Sequence, residues 1–479
     1  MKVLVSYLTL LLILLPMGGC KIVKDKLNSL TQNSVINTTL VTPIQPASNT
    51  TAATLYPKLT NIMPLTTATE QEFSLDWIRE YGSGVDDYAY DIALDSNNNV
   101  YAIGYTIGAL DGQTYLGLYD AYLKKLDNKG NSLWTCQFGA QYVDVARSVA
   151  VDAHNGIYVA GDTFGVLSGS TSMGLQDCYV RKFNDQGQTL WTCQFGTNTK
   201  DETYGVAVDR AYNSFVVGNT LGTFMDQTAS GKQDCFISEL DASGKIIWTR
   251  QFGSAKDDYA TNVSSDNEGG AFVVGYTDGG VFPGQTASGT QDCYIARYDN
   301  NGNQLWLQQF GSKSQSNAYD IAADSAGNAY IVGCVRDSLT TDSAPISQNA
   351  FMRKYDKSGS AVWTRQFTAG GDTLGYGVCC DASGGVYITG ACSGSLSGEP
   401  FVERMDIFIR KYSTSGLETW THELGAYAND YGYSIAVDSA GGVFISGGTV
   451  GNFFGQTSPN KGQCALVAKF SLHSLVVAK

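Results

Sequence analysis

Seven tryptophans set the architecture of this chain. Trp77, Trp134, Trp191, Trp248, Trp306, Trp363 and Trp420 are separated by 57, 57, 57, 58, 57 and 57 residues, and the 479-residue sequence has no others. A fixed period of this length is the mark of a repeat architecture, one supersecondary unit used again and again. The unit from Tyr90 to Gly139 reads as four short strands, A to D in chain order. Asp91 to Asp95 leads through a polar turn at Ser96 to Asn99 into Val100 to Gly104, ending near Thr106. After a loop to Asp120 come Ala121 to Leu126, the turn Asp127 to Gly130, and Ser132 to Gly139. Alternating runs rich in Val, Ile, Tyr and Phe, cut by Asp, Asn and Gly, are strand signals. No segment keeps a 3.6-residue period over eleven or more residues. The 54 glycines against 9 prolines suit many tight turns.

Four-stranded units in this number predict an all-β fold, a seven-bladed propeller, because one small sheet cannot cover both of its apolar faces. Stacking the sheets around an axis covers each face with the next blade. Strand A is expected innermost, since the position of Ala93 holds only Ala150, Ala207, Ser264, Ala322, Cys379 and Ala436 in the other units. A linear β-solenoid requires much shorter repeats and no closure. The ends complement each other. Leu75 to Gly82 is a tryptophan strand with nothing before it, and Ala465 to Phe470 is a C strand with nothing after it. The N-terminal strand is therefore expected to complete blade seven and close the ring, leaving no open seam.

These residues resemble the bacterial seven-bladed β-propeller repeat family (SBBP-type repeats) of exported and surface proteins. The resemblance rests on W-x-x-x-F-G (Trp134 to Gly139), the D-x-x-G turn before each tryptophan, G-x-T near Gly104 and the D-[AC]-[YF] start of strand C. It covers about residues 74 to 472. It implies a fold and says almost nothing of activity, because repeats rather than a reaction define the family.

The N-terminus reads as an address. After Met1–Lys2 the apolar run Val3 to Leu15 is too short to span a bilayer and suits an export signal. Leu15-Pro16-Met17-Gly18-Gly19-Cys20 resembles the lipobox of bacterial lipoproteins, with Met17 where leucine is usual. The resemblance implies a signal peptide over 1–19 and diacylglycerol on Cys20. Lys21 rather than aspartate after the cysteine implies the outer membrane or cell surface of a bacterial envelope. Residues 20–72 are expected to be a Ser/Thr/Asn-rich tether, 73–473 the propeller and 474–479 a tail.

Charge narrows the partners. With 31 basic and 45 acidic residues the net charge is −14, and loss of a signal carrying only Lys2 makes it −15. Such a surface repels nucleic-acid phosphates, so no nucleic-acid partner is expected. The chain has three histidines, His154, His422 and His473, and repeat symmetry gives them no reason to converge. G-x-S-x-G, H-E-x-x-H, C-x-x-C and phosphate-loop patterns are missing from the sequence. The D-x-x-G-x-x-x-W spacing departs at both steps from the S/T-x-D-x-G-x-x-W box of sialidase propellers, so no glycosidase activity is carried over. A turn with a positive-φ glycine explains it. Asp95-x-Asn97-x-Asn99 and Asp299-x-Asn301-x-Asn303 open like calcium loops but lack the closing bidentate glutamate. Aspartates capping their own turns account for both, so no cofactor is expected, with calcium as the one alternative.

A candidate binding face follows from the connections, since D–A and B–C loops emerge together. Asp87, Asp144, Asp201, Asp258 and Asp430 share one D–A position, with Ser316 and Thr373 in the other two blades. Asp120, Asp177, Asp234, Asp292 and Asp406 open strand C. These aspartates either make the face acidic or cap turns. Symmetry breaks in the B–C loops of blades five and six, Asp337 to Pro345 and Gly398 to Met405, the latter carrying Glu399, Phe401, Glu403 and Arg404. Cys178, Cys235, Cys293 and Cys464 align with Ala121 and Ala350 as small buried residues. If Asn184 to Gly187 is a four-residue turn, Cys178 faces Cys193, and export permits a disulfide there. The function expected is a monomeric, lipid-anchored, non-catalytic surface for a protein or glycan partner. The rival is a hydrolase or lyase acting on glycan or peptide, its site gathered from several blades.

Overall fold

The computed structural model describes residues 71–339, 347–402, 404–453, 456, 458–459 and 462–474. Seven four-stranded antiparallel sheets make up its body. Blade 1 contains strands A to D at Asp87–Leu94, Val100–Thr106, Asp120–Leu126 and Ser132–Phe138. Blades 2 to 6 repeat this pattern from Asp144, Asp201, Asp258, Ser316 and Thr373. Blade 7 takes Asp430–Val437, Val443–Val450 and Gln463–Ser474 from the C-terminal end, and Gln71–Tyr81 as its strand D. The N-terminal strand thus pairs with the last one, from Gln71↔Ser474 to Tyr81↔Ala465. Closure takes the form the complementary ends predict, although the strand starts earlier than Leu75.

The apolar cores lie between blades rather than within them. Tyr101 and Leu123 of blade 1 pack with Val159 and Tyr179 of blade 2, and a comparable cluster fills every junction round the ring. The seventh joins Ala465 and Val467 of blade 7 to Ala102 and Tyr122 of blade 1. At about 25 cal/mol per Å² of buried apolar area, no single blade keeps this stabilisation alone. The ring is the unit that folds.

The tryptophan period is a staple between blades. Trp134 of blade 1 donates its indole N–H to Asp185 O in the C–D turn of blade 2, at 3.1 Å. Trp77, Trp191, Trp248, Trp306 and Trp363 do the same to the following blade at 2.9–3.2 Å. Each indole lies over that turn's glycine: Gly130, Gly187, Gly244, Gly302, Gly359 or Gly416, all at φ of +74° to +87°. Blade 7 has no C–D turn, because its strands C and D are opposite ends of the chain. Trp420 instead stacks on Phe73 of the closing strand, centroids 4.1 Å apart.

Two register expectations are corrected. The turn after Phe183 brings Phe183 opposite Thr189, and a bulge then shifts the ladder again, so Cys178 faces Phe195 and Cys193 faces Val180. Both thiols are free. Cys464 pairs with Thr449 as Asp120 pairs with Thr106, so it occupies the first position of strand C and Ala465 takes the place of Ala121. Alignment by residue type missed this one-residue offset; alignment from the buried end, Phe470 with Leu126, finds it.

Candidate functional site

The D–A and B–C loops do share a face. In blades 1, 2, 4 and 6 the end of the B–C loop bridges the next D–A loop in parallel, Tyr119 to Val143, Gln176 to Lys200, Gln291 to Gln315 and Met405 to Asn429. The recurring aspartates lie beneath this face. Asp87, Asp144, Asp201, Asp258 and Asp430 are fully buried and accept the N–H four residues earlier, from Ser83, Ala140, Thr197, Ser254 and Ala426, at 2.5–2.7 Å. Ser316 and Thr373 take the same N–H with a hydroxyl, at 2.9 Å. Burial pushes Asp144 and Asp258 up to about 6 and Asp430 to about 7. Their geometry is that of turn caps, which fix the loop above.

The B–C loops hang on a second repeated device. Asp120, Asp177, Asp234, Asp292 and Asp406 accept a loop N–H, from Leu116, Met173, Ser230, Ser288 and Val402, at 2.7–2.8 Å. In blades 1 to 4 the glutamine of W-x-x-Q-F-G also donates to that aspartate, at 2.8–2.9 Å. Its oxygen accepts from Leu110, Leu167, Phe224 or Phe282, residues buried under the loop, at 3.0 Å.

Above these anchors the face carries apolar groups in water. Val85, Tyr115, Leu116, Leu118, Tyr142, Val166, Met173, Leu175, Leu221 and Met225 are exposed, all from D–A and B–C loops of blades 1 to 3 and the seam. Met225 is 89% and Leu175 72% exposed. Leu118 and Tyr142 are neighbours, joined by Leu118 N–H to Tyr142 O at 2.7 Å. Tyr427, 85% exposed, and Phe401 and Val402 continue the apolar surface in blades 6 and 7.

Tyrosines ring the axis just inside. Every strand A has a bulge at its fourth residue, between Ala89 and Asp91 in blade 1, and a bulge re-aims the side chain it carries. That residue is Tyr90, Arg147, Tyr204, Thr261, Tyr319, Tyr376 or Tyr433. Tyr90–Tyr433, Tyr433–Tyr376 and Tyr376–Tyr319 lie 5.5–5.9 Å apart between centroids, and Tyr88, Tyr105 and Tyr119 stack at 4.8–4.9 Å beside them. Between Tyr90 and Tyr204, the Arg147 guanidinium sits over both rings and pairs with Asp162 at 3.0 Å. Burial opposes its charge, but Asp162 and the tyrosines outweigh it. One step deeper, Asp91 links three blades, accepting from Ser434 (2.6 Å), Ser148 (3.0 Å) and Val149 N–H (2.8 Å). Sequence reasoning missed this ring. The signal was a tyrosine three residues after the D–A aspartate, serine or threonine in five of seven blades.

The remaining sequence candidates scatter. Glu399 approaches His422 at 3.5 Å, and burial lowers the His422 pKa. His154 stacks on Tyr212 at 4.7 Å on the opposite face. Arg404 has a left-handed backbone, φ +61°. Asp95 accepts from Asn97 N–H, Asn99 N–H and the Asn99 amide at 2.8–2.9 Å and pairs with Lys125 at 3.6 Å. Asp299 is occupied in the same way by Asn301 and Asn303. Among the described residues no three His, Cys, Asp or Glu side chains are grouped to hold a metal. Cys20, Glu403, residues 340–346 and most of the tail lie outside the described residues.

A family model for the SBBP β-propeller repeat matches residues 76–110, 190–224, 247–283, 305–333 and 419–454. Each match starts beside a strand D tryptophan and reaches strand B of the next blade, so the sequence repeat straddles two blades. An uncharacterised WD repeat-containing protein of Acanthamoeba polyphaga mimivirus is 22% identical over 252 residues, 42% of this chain and 18% of that protein. The regulatory protein FlaEY of Caulobacter vibrioides is 26% identical over 212 residues, 40% of this chain and 22% of its own length. The match therefore spans about a fifth of either relative. Among solved structures, the Pan2 WD40 domain of Neurospora crassa has a TM-score of 0.48 at 9% identity, covering 85% of this chain and 97% of its own. The polysaccharide lyase Uly1 has 0.46 at 10%, covering 82% and 92%.

Proposed function

We propose that this chain is an exported propeller, held by lipid on Cys20 at a bacterial outer membrane or cell surface, that binds a protein or glycan partner without catalysis. The observation that supports this reading is the apolar surface of the D–A and B–C loops, centred on Leu118, Tyr142, Leu175 and Met225. Large apolar side chains gathered in water on the loops of one face suit contact with a partner. Rigid anchors beneath variable loops are the usual arrangement of a binding face. The face is weighted to blades 1 to 3, which suits one asymmetric partner better than a symmetric one. For the hydrolase or lyase alternative the nearest chemistry is Glu80, Glu423 and Asp430, all pushed up to about 7 by burial. They lie under loops and hold loop or turn N–H groups, which disfavours a catalytic role.

Capture from envelope extracts with the Cys20→Ser chain tests the proposal. A retained partner should be lost with Leu175→Asp/Met225→Asp and kept with Leu190→Asp, an exposed residue of the outer strand of blade 2. Equal loss from both variants places the contact elsewhere. Turnover of a glycan or peptide by the unaltered chain overturns the non-catalytic reading. Fatty-acid labelling that persists in Cys20→Ser refutes the anchor.

A further inference from the structure

The glutamine that wires each B–C loop is replaced in two blades. Gln137, Gln194, Gln251, Gln309 and Gln366 hold the position in blades 1 to 5, and Glu423 and Glu80 hold it in blades 6 and 7. In blades 1 to 4 the amide accepts one loop N–H through Oε1 and makes two donations through Nε2. One goes to a loop carbonyl, Gly108, Gly165, Gly222 or Gly280, at 2.9–3.0 Å, and the other to the strand C aspartate. Blade 6 keeps the first contact, Leu396 N–H to Glu423 Oε1. Oε2 then stands where Nε2 stands elsewhere, buried and without a hydrogen-bond partner. Asp406, still accepting Val402 N–H at 2.7 Å, is the acceptor this position serves in the other blades. A carboxylate has no donor to give it. A protonated carboxyl has one.

The charges around this pair act in both directions, and Arg410 favours the Glu423 carboxylate. Arg410 of strand C is committed to Thr421 (2.7 Å), Ser397 (3.2 Å) and Glu418 (3.4 Å). Glu399 on the loop and Asp406 both add negative field, and His422, next to Glu423 on strand D, turns to Glu399. From blade 7, Asp430 faces Asp406, with Glu80 beyond it. The loop above is left-handed at Ser397 (φ +54°), Gly398 (φ +83°) and Arg404 (φ +61°), conformations that cost free energy at the two non-glycine residues. Its anchors, Leu396 N–H on Glu423 and Val402 N–H on Asp406, have to hold it there.

We propose that Glu423 and Asp406 share one proton, and that its release to solvent loosens the B–C loop of blade 6, the loop that presents Phe401 and Val402. Burial pushes Glu423 up to about 7, with Asp406 and Glu399 adding to the shift. The closed loop therefore keeps a proton that the open loop gives up. Between the ordinary glutamate value and about 7 closure weakens as pH rises, by up to about tenfold per pH unit, and it levels off above 7. The effect on partner binding rests on the face proposed above; the titration of the loop does not.

Hydrogen exchange of residues 394–406 in the full chain at pH 5, 6, 7 and 8, corrected for intrinsic rates, is the test. Protection should fall steeply from pH 5 to 7 and then level. Glu423→Gln, which restores the wiring of blades 1 to 4, should keep the loop protected at every pH. Gln137→Glu should install the same fall in residues 108–120 of blade 1. Flat protection in the unaltered chain, or an unchanged fall in Glu423→Gln, overturns the proposal. A loop that titrates while Leu175→Asp/Met225→Asp leaves partner capture intact refutes the binding face and leaves the switch standing.

Discussion

Asparagine in place of Gly244 should cost far more than asparagine in place of Gly441, although both glycines have φ of +86°. The A–B turn position of Gly441 holds Asn98, Asn155 and Tyr212 in other blades, at φ of +60° to +66°, so the backbone alone does not demand glycine. Nothing lies within 4 Å of a β-carbon built on Gly441. One built on Gly244 meets the Trp191 ring at 2.6 Å, about 1 Å inside ordinary carbon contact. The indole must retreat, losing its hydrogen bond to Ala242 O at 3.0 Å. Overpacking of this kind costs about 1–3 kcal/mol and the hydrogen bond about 1 kcal/mol more. Gly244→Asn is therefore expected to destabilise the ring by about 2–4 kcal/mol, and Gly441→Asn by less than about 0.5 kcal/mol, since asparagine tolerates this backbone. Urea denaturation midpoints measure both. In a Trp191→Ala background the cost of Gly244→Asn should collapse toward that of Gly441→Asn, the signature of direct coupling. Equal costs in the unaltered chain, or no coupling to Trp191, would refute the staple as the reason for the tryptophan period.

Phe73→Ala removes the stack that replaces the missing turn at the seam. It should lower the melting temperature and open the chain to proteolysis near residues 71–83, whereas a cut elsewhere would show that the seam is not the weak joint. The thiols of Cys178 and Cys193 should both alkylate in denaturant without reductant; a protected pair would sink the assigned register. Burial raises Asp144 and Asp258 to about 6 and Asp320 and Asp430 to about 7, so their contribution is complete below the ordinary aspartate range and lost as pH rises to 6–7. Asp241 and Asp356 are held low by the Ser243 and Ser358 hydroxyls and turn amides, so theirs is lost only at more acidic pH. The melting temperature should peak near pH 4–5 and decline toward pH 8, and a steady rise over that range would contradict the burial argument.

Blade number, strand order and closure were legible because tryptophan marks one position in every unit and the two ends lack complementary strands. The D–A aspartates were legible as a set, but their job was not, since exposure and capping leave the same pattern in sequence. Turn length decided the cysteine register: one residue more after Phe183 and a bulge before Trp191 move the partner of Cys178 by two places. Such offsets are set by backbone twist and leave no trace in residue type. The tyrosine ring escaped because its residues look like ordinary strand aromatics until the bulge turns them to the axis. Glu423 and Glu80 stood in plain view as departures from glutamine. Their meaning needed the neighbouring acceptor, which only the folded loop supplies.

The closing strand also fixes how the ring carries a mechanical load. Strand D runs toward the D–A loops, so Gln71 lies at the opposite face, and any chain ahead of it joins the ring there. A pull on that chain, resisted by a partner held on the loops, is directed along the strand. The ladder from Gln71↔Ser474 to Tyr81↔Ala465 is then loaded in shear, with its hydrogen bonds strained together instead of one after another. A strand that covalent connectivity leaves loose is thereby placed where rupture demands the most force.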